Sequence, residues 1–157
     1  IVFFQRIPIL QEKFPNYEFS YAVSYDPSWG IYTDFLYPSP IQKETIKNRQ
    51  ILGVLEEKGD SLTKKRIVDH WIYFKDESSR FQFLEDAKET NFNIVGIWEN
   101  SDFSSEYTFG VQINRTDFVS YDEIDNVTHP LFKLAAKYDG FYDGWETFVE
   151  NKSTANN

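Results

Sequence analysis

Alternating apolar residues near the start of the chain predict two β-strands. In YEFSYAVSY, residues 17–25, an apolar or aromatic side chain stands at every second position from Tyr17 to Tyr25, which is the spacing of a strand with one buried face. The turn residues DPSWG follow, and residues 31–37 are predicted to return as the second strand. The two strands would form a β-hairpin, which is too small to fold alone and has to pack on other parts of the protein.

A helix start signal follows this hairpin. Ser39 is a good N-cap, Pro40 suits the first helical turn, and Gln42 stands where a capping box needs its second partner. The helix is predicted to cover residues 40–58 and to end at Gly59. Its buried side chains are predicted to be Ile51, Leu52 and Leu55.

From residue 66 onward the pattern changes repeatedly between strand and helix spacing. RIVDHWIYF (66–74), FNIVGIWE (92–99) and residues 107–113 have the alternation of strands, and a further strand closes the chain before Glu150. A helix lies between the first two of these strands. Asp76 is predicted to cap this helix, whose apolar side chains are Phe81, Leu84 and Ala87.

A second helix is predicted before the last strand. Ser120 and Glu123 have the spacing of a capping box, and Pro130 is expected to break the helix, with Thr128 as a fresh N-cap. Gly140 stands where a helix C-cap glycine is expected. The apolar stripe of this helix is predicted to be Ile124, Val127, Leu131, Leu134, Ala135 and Tyr138.

The order of these elements predicts an α+β fold. Residues 66–150 have the order strand, helix, strand, strand, helix, strand, and right-handed crossovers then give a four-stranded antiparallel sheet with both helices on one face. This is the ferredoxin-like βαββαβ plait, here with an N-terminal β-hairpin and helix. We expect a hairpin segment at residues 1–39, the plait domain at 40–150 and a disordered tail at 151–157.

Composition and charge narrow the classes of function. The chain has 157 residues, 41% hydrophobic and 18% aromatic, which indicates a globular protein. It has no cysteine, which excludes disulfides and thiolate zinc sites and favours a cytoplasmic location. No apolar run approaches the roughly 18–20 residues of a membrane helix. The net charge of −9 is poorly suited to nucleic acid and favours a protein partner with a basic segment.

Two motifs resemble a known family. LEEKGDSLTKKRIVDHWIYFKDESSRFQFLEDA (55–87) and LFKLAAKYDGFYDGWET (131–147) are similar, in this order, to the family of regulators of ribonuclease E activity, type B. The resemblance spans about residues 45–150 and implies the same plait. It also implies a protein that is not an enzyme, that binds the scaffold region of ribonuclease E and that restrains RNA decay. VSYDPSW and FLYPSP, within residues 10–39, look like the tail of an upstream module of unknown function, so we expect the chain to be the C-terminal piece of a longer protein.

Candidate binding residues lie on the predicted face without helices. His70 shares the apolar face of its strand, where a buried, hydrogen-bonded histidine is expected rather than a ligand or base. The opposite face carries Asp69, Trp71 and Tyr73, and Trp145 of the last strand is expected to join them. This group is interpreted either as covered by the hairpin and the first helix or as a protein-contact face. RNA stacking on these rings is less favoured because flanking basic residues are missing.

The repeated Tyr-Asp-Gly before the last strand is interpreted as turn and packing chemistry. Asp139 and Asp143 precede glycines, and Asp143 and Glu146 are expected to lie on opposite strand faces, which does not suit a catalytic carboxylate pair. A partner surface around Asp143, Trp145 and Glu146 is the functional interpretation. The sequence has no nucleotide, zinc-protease or nucleophile-elbow motif, and we expect no metal and no cofactor.

Three functions remain open at this point. The first is an acidic protein-binding regulator of an RNA-decay enzyme that does not itself bind RNA or membranes. The second is a structural domain of a fused protein, packed on the upstream module or forming a homo-oligomer. The third and least favoured is a small-molecule hydrolase similar to acylphosphatases, in which Arg66 or Arg115 would bind the anion.

Overall fold

The computed structural model divides the chain into two compact units, Ile1–Tyr37 and Pro38–Asn157. The structure describes residues 7–20, 22–23, 25–100 and 106–150. The predicted disordered tail lies outside the described residues. Over the described part of the chain, no helix is both long and apolar enough to cross a membrane.

The prediction of an N-terminal β-hairpin is wrong. Helix α1 covers Ile7–Lys13, and a π-helical turn occupies Tyr32–Leu36, where the second strand was expected. No strand is present among the described residues of the segment 17–25. A local hydrogen-bonded turn and the exposure of the alternating residues explain why this pattern did not produce strands.

Asp26 caps a helical turn where the hairpin turn was expected. Its carboxylate oxygens accept hydrogen bonds from the backbone N–H groups of Gly30 and Ile31, both at 2.8 Å. Three of the alternating residues also stay largely exposed: Tyr17 at 67%, Val23 at 78% and Tyr25 at 93%. A two-stranded hairpin without an apolar surface to pack on is marginal in water, so local capping determines the backbone.

Helix α2, Pro40–Glu57, begins and ends as the sequence predicts. Ser39 N–H donates to Gln42 Oε1 at 2.8 Å, and Gln42 N–H donates to Ser39 Oγ at 3.4 Å, which completes the capping box. Gly59 follows the helix with a φ of +89°, a conformation that favours glycine. Leu52 and Leu55 are buried and Ile51 is half-buried, so the predicted apolar side is confirmed.

The second unit contains the predicted ferredoxin-like plait. Its four strands form an antiparallel sheet in the order β2-β3-β1-β4. The strands are β1 Lys65–Phe74, β2 Asn93–Glu99, β3 Phe109–Phe118 and β4 Phe141–Glu146. The crossover helices are α3 Glu77–Lys88 and α4 Ile124–Lys137.

The core lies on one face of this sheet, against α2, α3 and α4. On β1 the buried positions alternate, so Val68, Ile72 and Phe74 all point to the helices. One cluster packs Ile72 and Phe74 against α3 and α4. A second packs Val68 against Leu52 and Leu55 of α2. Helix α2 therefore belongs to the helical layer of the domain.

Helix α3 is capped as predicted, but one of its expected apolar residues is on the wrong side. Asp76 accepts a hydrogen bond from Ser79 N–H at 2.8 Å. Leu84 and Ala87 are buried, whereas Phe81 is 62% exposed and Phe83 is fully buried in its place. Residues two positions apart lie on nearly opposite sides of a helix, so only one of these two rings can face the core.

Helix α4 has neither the predicted capping box nor the predicted break. No side chain caps its N-terminus. Thr128 does not start a new helix, because its hydroxyl donates to Ile124 C=O at 3.1 Å, one turn back. Pro130 stands inside the continuous helix, where it costs roughly 3 kcal/mol. Burial of the neighbouring Val127 and Leu131 offsets this cost.

Glycine is needed at position 140, after α4, for a different reason than predicted. The residue in the left-handed conformation is Asp139, with a φ of +51°. Its N–H donates to Ala136 C=O, and Gly140 N–H donates to Ala135 C=O at 2.8 Å, as in a Schellman motif. A Cβ on Gly140 would lie 2.4 Å from the ring of Phe74. Glycine is therefore required here by packing against β1.

Candidate functional site

A β-bulge in β4 determines the geometry of the candidate site. Trp71 of β1 is paired with Gly144, and the next residue, Ile72, is paired with Tyr142, so Asp143 is the extra residue of the bulge. Gly144 has a φ of +152°, which favours glycine. In a regular strand Tyr142 and Trp145 would point to opposite faces, but the extra residue brings both side chains to the helical face.

Trp145 is consequently a core residue and does not join the open sheet face, which corrects the expectation from the sequence. It is 5% exposed and packs in the same cluster as Leu52 and Leu55. Its indole N–H donates to Asn48 Oδ1 at 2.8 Å. The Asn48 amide in turn donates to Asp125 and to Thr128, each at 2.7 Å. These bonds join β4 to α2 and α4 through one buried asparagine.

Beside β4 lies a cleft of about 350 Å³, which we call the α2–β4 cleft. It contains five of the six binding residues proposed from the sequence, although Trp145 enters it from the helical side. Those five are Trp71, Tyr73, Asp143, Trp145 and Glu146. The remaining lining residues are Gly144 and four residues of α2: Glu44, Lys47, Asn48 and Ile51.

The sixth proposed residue, Asp69, lies outside this cleft. It is on the open face of β1, where its carboxylate accepts hydrogen bonds from Gln112 at 3.0 Å and Asn114 at 3.1 Å. Both donors belong to β3, and Asn114 is the direct cross-strand partner. Asp69 therefore strengthens the pairing of two central strands and has less capacity left for a ligand.

The α2–β4 cleft has a net negative charge. It is lined by three carboxylates and one ammonium group, a net charge of −2. Glu44 is buried and is paired with Lys47 at 2.9 Å. Asp143 and Glu146 are exposed, and within the described part of the chain neither carboxylate has a hydrogen bond or an ion pair. Burial and the negative charge of Asp143 raise the pKa of Tyr73.

Aromatic rings form the apolar part of the cleft and its surroundings. Trp71 and Tyr73 are half-buried. The Tyr73 ring meets Trp98 of β2 nearly edge-on, with 5.9 Å between ring centroids and an interplanar angle of 79°. Trp98 lies directly over Gly110, where a Cβ would be 2.2 Å from the indole. The Tyr73 ring is therefore held in a defined position before any ligand arrives.

His70 is the buried, hydrogen-bonded histidine that the sequence predicted. Its Nδ1 lies 2.9 Å from the hydroxyl of Tyr142, and the side chain is fully buried. Burial, with a smaller contribution from the charge of Arg115, lowers the pKa of His70 to about 3. Burial, with smaller contributions from Glu44 and Asp143, raises the pKa of Tyr142. Both side chains are therefore neutral near pH 7.

The contacts of the candidate catalytic groups do not favour catalysis. Thr45 Oγ1 lies 3.0 Å from His129 Nε2, the spacing of a nucleophile and its base. However, Asp125 approaches the same ring nitrogen, at 3.8 Å, and so does not orient the ring from Nδ1 as a triad requires. Among the described residues, no group of three or more His, Cys, Asp or Glu side chains is placed to hold a metal ion.

The two arginines considered for an anion-binding site are both engaged. Arg66 is buried and paired with Asp60, with a second bond from Nη2 to Asp60 Oδ1 at 2.9 Å. Arg115 donates to Asp117 at 2.9 Å and to Thr90 C=O at 2.9 Å. The hydrolase hypothesis has no support from these contacts.

The α2 residues of the cleft were missed from the sequence. Glu44 and Asn48 stand at i and i+4 relative to each other and on the same helical side as Leu52 and Leu55. Polar residues that interrupt an apolar helical side in this way are a signal of a buried polar network. The apolar positions of α2 alone do not identify this network.

Comparisons with known proteins find similarity over most of the second unit. The family model described as "Regulator of ribonuclease activity B" matches residues 45–147. A curated relative, the regulator of ribonuclease activity B of Actinobacillus succinogenes, is 26% identical over 114 residues. That similarity covers 73% of this chain and 78% of the relative.

Proposed function

Because the chain belongs to the family of regulators of ribonuclease activity B, we propose that it regulates a ribonuclease without catalysis, by binding the enzyme directly. The proposed partner is a ribonuclease E-like enzyme, and the segment bound is a basic part of its scaffold region. We further propose that binding takes place in the cytoplasm and does not involve direct contact with RNA.

The observation that carries this proposal is the α2–β4 cleft. It places Asp143 and Glu146, two carboxylates without a hydrogen bond or ion pair among the described residues, next to the half-buried rings of Trp71 and Tyr73. Carboxylates attract a basic segment and speed its encounter, and burial of aromatic area supplies affinity. The net charge of −9 acts in the same direction and opposes RNA binding.

The proposal is tested by titrating the purified chain against a purified ribonuclease E that includes its scaffold region, with RNA cleavage and direct binding as readouts. The charge reversal Asp143→Lys/Glu146→Lys is expected to weaken binding by roughly ten-fold or more, because attraction becomes repulsion. The matched control is Glu57→Lys/Glu99→Lys, which makes the same charge change at two exposed carboxylates away from the cleft.

Binding by wild type is also expected to weaken as salt rises from about 0.1 M to about 0.5 M, since exposed charges are screened over this range. Equal inhibition by both charge-reversed proteins, or inhibition that does not change with salt, would contradict the role of the cleft. Absence of any binding to the ribonuclease would contradict the proposed function itself.

The free edge of β2 supports a second candidate, a structural domain that forms homo-oligomers. Strand β2 is at the edge of the sheet and exposes Ile94, Val95 and Ile97. The exposed ring of Phe81 in α3 lines the same cleft as Ile97. Exposed apolar edge strands promote pairing between chains. Light scattering on the full chain distinguishes the two: a mass of one chain opposes this candidate, and a dimer lost on Val95→Lys supports it.

A further inference from the structure

The size of the α2–β4 cleft suits a single long side chain. Its volume of about 350 Å³ is near the lower end of the range of roughly 300–1,000 Å³ for small-molecule sites. An added Cβ at Gly144 would meet no atom within 4 Å, so the space beside the bulge is open. A basic segment of a partner could therefore insert one residue here while the rest of the segment stays outside.

The charges of the cleft select a cation. Lys47 is already paired with the buried Glu44 at 2.9 Å, so the one ammonium group of the lining is neutralised locally. The carboxylates of Asp143 and Glu146 have no such partner among the described residues. The bulge residue Asp143 and the strand residue Glu146 thus leave two acceptors for one incoming cation.

The aromatic rings favour a guanidinium over an ammonium. A guanidinium group is flat, stacks on aromatic rings and donates two parallel hydrogen bonds to a carboxylate, whereas an ammonium group is a compact and strongly hydrated charge. Trp71 and Tyr73 supply rings in the same cleft as both carboxylates, and Tyr73 is held in place by Trp98. These features match the chemistry of arginine better than that of lysine.

We propose that the α2–β4 cleft receives one arginine side chain of the partner protein, between the rings of Trp71 and Tyr73 and the carboxylates of Asp143 and Glu146. This inference rests on the proposed function for the identity of the partner. The cleft itself is formed by residues of this chain alone and can be tested without the ribonuclease.

The test is an NMR titration of the full chain with three probes: N-acetyl-arginine methylamide, the corresponding lysine compound and the corresponding citrulline compound. Citrulline has nearly the shape of arginine without its charge. The signals to follow are the Trp71 indole, assigned with Trp71→Phe, and the Gly144 amide. We expect the arginine probe to bind roughly two- to five-fold more tightly than the lysine probe, and at least about ten-fold more tightly than citrulline.

Isosteric neutral variants locate the site. In Asp143→Asn/Glu146→Gln the arginine response is expected to weaken by roughly ten-fold or more, whereas Glu57→Gln/Glu99→Gln is expected to respond as wild type. An unchanged Trp145 indole signal shows that each variant remains folded, since this group is buried and hydrogen-bonded to Asn48. Equal binding of citrulline and arginine, or an arginine response that persists in Asp143→Asn/Glu146→Gln, would overturn the proposal.

The two proposals fail in different ways. If Asp143→Asn/Glu146→Gln loses ribonuclease inhibition but wild type does not prefer the arginine probe, the arginine site is wrong and the proposed function stands. If the arginine probe binds at the cleft and no ribonuclease is inhibited, the site stands and the proposed function is wrong.

Discussion

At the residue scale, burial of the His70 ring makes the stability of the fold depend on pH. The unfolded chain binds a proton on this imidazole near its ordinary pKa of 6.5, whereas burial lowers the folded-state pKa to about 3. Between these values the unfolded state binds more protons, so stability that is present above pH 6.5 is lost as pH falls toward 3. At about 1.4 kcal/mol per pKa unit, the loss reaches several kcal/mol.

Urea unfolding between about pH 7 and about pH 4 measures this effect. Wild type and the control His129→Gln are expected to lose stability over this range, and His70→Gln is expected to lose much less. The hydrogen bond from Arg66 lowers the pKa of Asp60 to about 2, so Asp60 adds its own loss only below its ordinary pKa of 3.8. A parallel decline in all three proteins would assign the pH dependence to other groups.

At the element scale, the bulge in β4 depends on the backbone of Gly144. Its φ of +152° strains any residue with a Cβ, although an added Cβ would meet no other atom within 4 Å. Gly144→Ala is therefore expected to destabilise the fold by roughly 1–3 kcal/mol through backbone conformation alone.

Gly53 supplies a matched comparison for this prediction. It lies inside α2, and an added Cβ would also meet no atom within 4 Å. Gly53→Ala is expected to stabilise the fold by roughly 0.5–1 kcal/mol, because alanine is the better helix former. Thermal and urea unfolding of both variants measures the two effects. A Gly144→Ala protein as stable as wild type would mean that the bulge tolerates another backbone conformation.

The order of helices and strands could be predicted because its signals are local. Ser39, Asp76 and Gly59 act within one helical turn of themselves, and the alternation along β1 needs no knowledge of its neighbours. Which of Phe81 and Phe83 faces the core depends on the rotation of α3 against the sheet, which is a tertiary property. The N-terminal alternation failed as a strand signal because Tyr17, Val23 and Tyr25 stay exposed, so the pattern did not mark a buried face.

The candidate site could be predicted only in part for the same reason. Trp71 and Tyr73 could be grouped because strand periodicity places both on one face of β1. The same periodicity predicts Asp143 and Glu146 on opposite faces of β4, and this expectation is wrong, because the bulge lets both line the cleft. The orientation of Trp145 could not be predicted, since one bulged residue reverses every side chain after it, and the bulge is defined by pairing with β1. Glu44 and Asn48 of α2 line the same cleft, but α2 lies about a hundred residues before Trp145 in the sequence, so no local pattern connects them.

At the scale of the whole molecule, α2 is part of the domain, and the family match, which begins at residue 45, includes most of this helix. Leu52 and Leu55 complete one of the two core clusters, and Asn48 satisfies the indole of Trp145. A chain of residues 38–150 is expected to fold cooperatively, whereas residues 59–150 are expected not to. Each lost leucine alone costs about 2–5 kcal/mol, which is comparable to a total stability of about 5–15 kcal/mol.

Circular dichroism with urea unfolding compares these two chains. A cooperative transition in residues 59–150 at the same urea concentration as in residues 38–150 would show that α2 is an appendage. Failure of both chains to fold would show that the first unit is required for the stability of the second.

The buried position of Trp145 gives the protein an internal optical probe. Trp29, in the first unit, is exposed to water, whereas the Trp145 indole lies in an apolar cluster and is hydrogen-bonded to Asn48. An indole shielded from water fluoresces at shorter wavelength than a hydrated one. Trp71 and Trp98 of the second unit are half-buried and also emit. A protein in which Trp29, Trp71 and Trp98 are replaced by phenylalanine would therefore follow the closure of the core around β4 by the emission colour of Trp145.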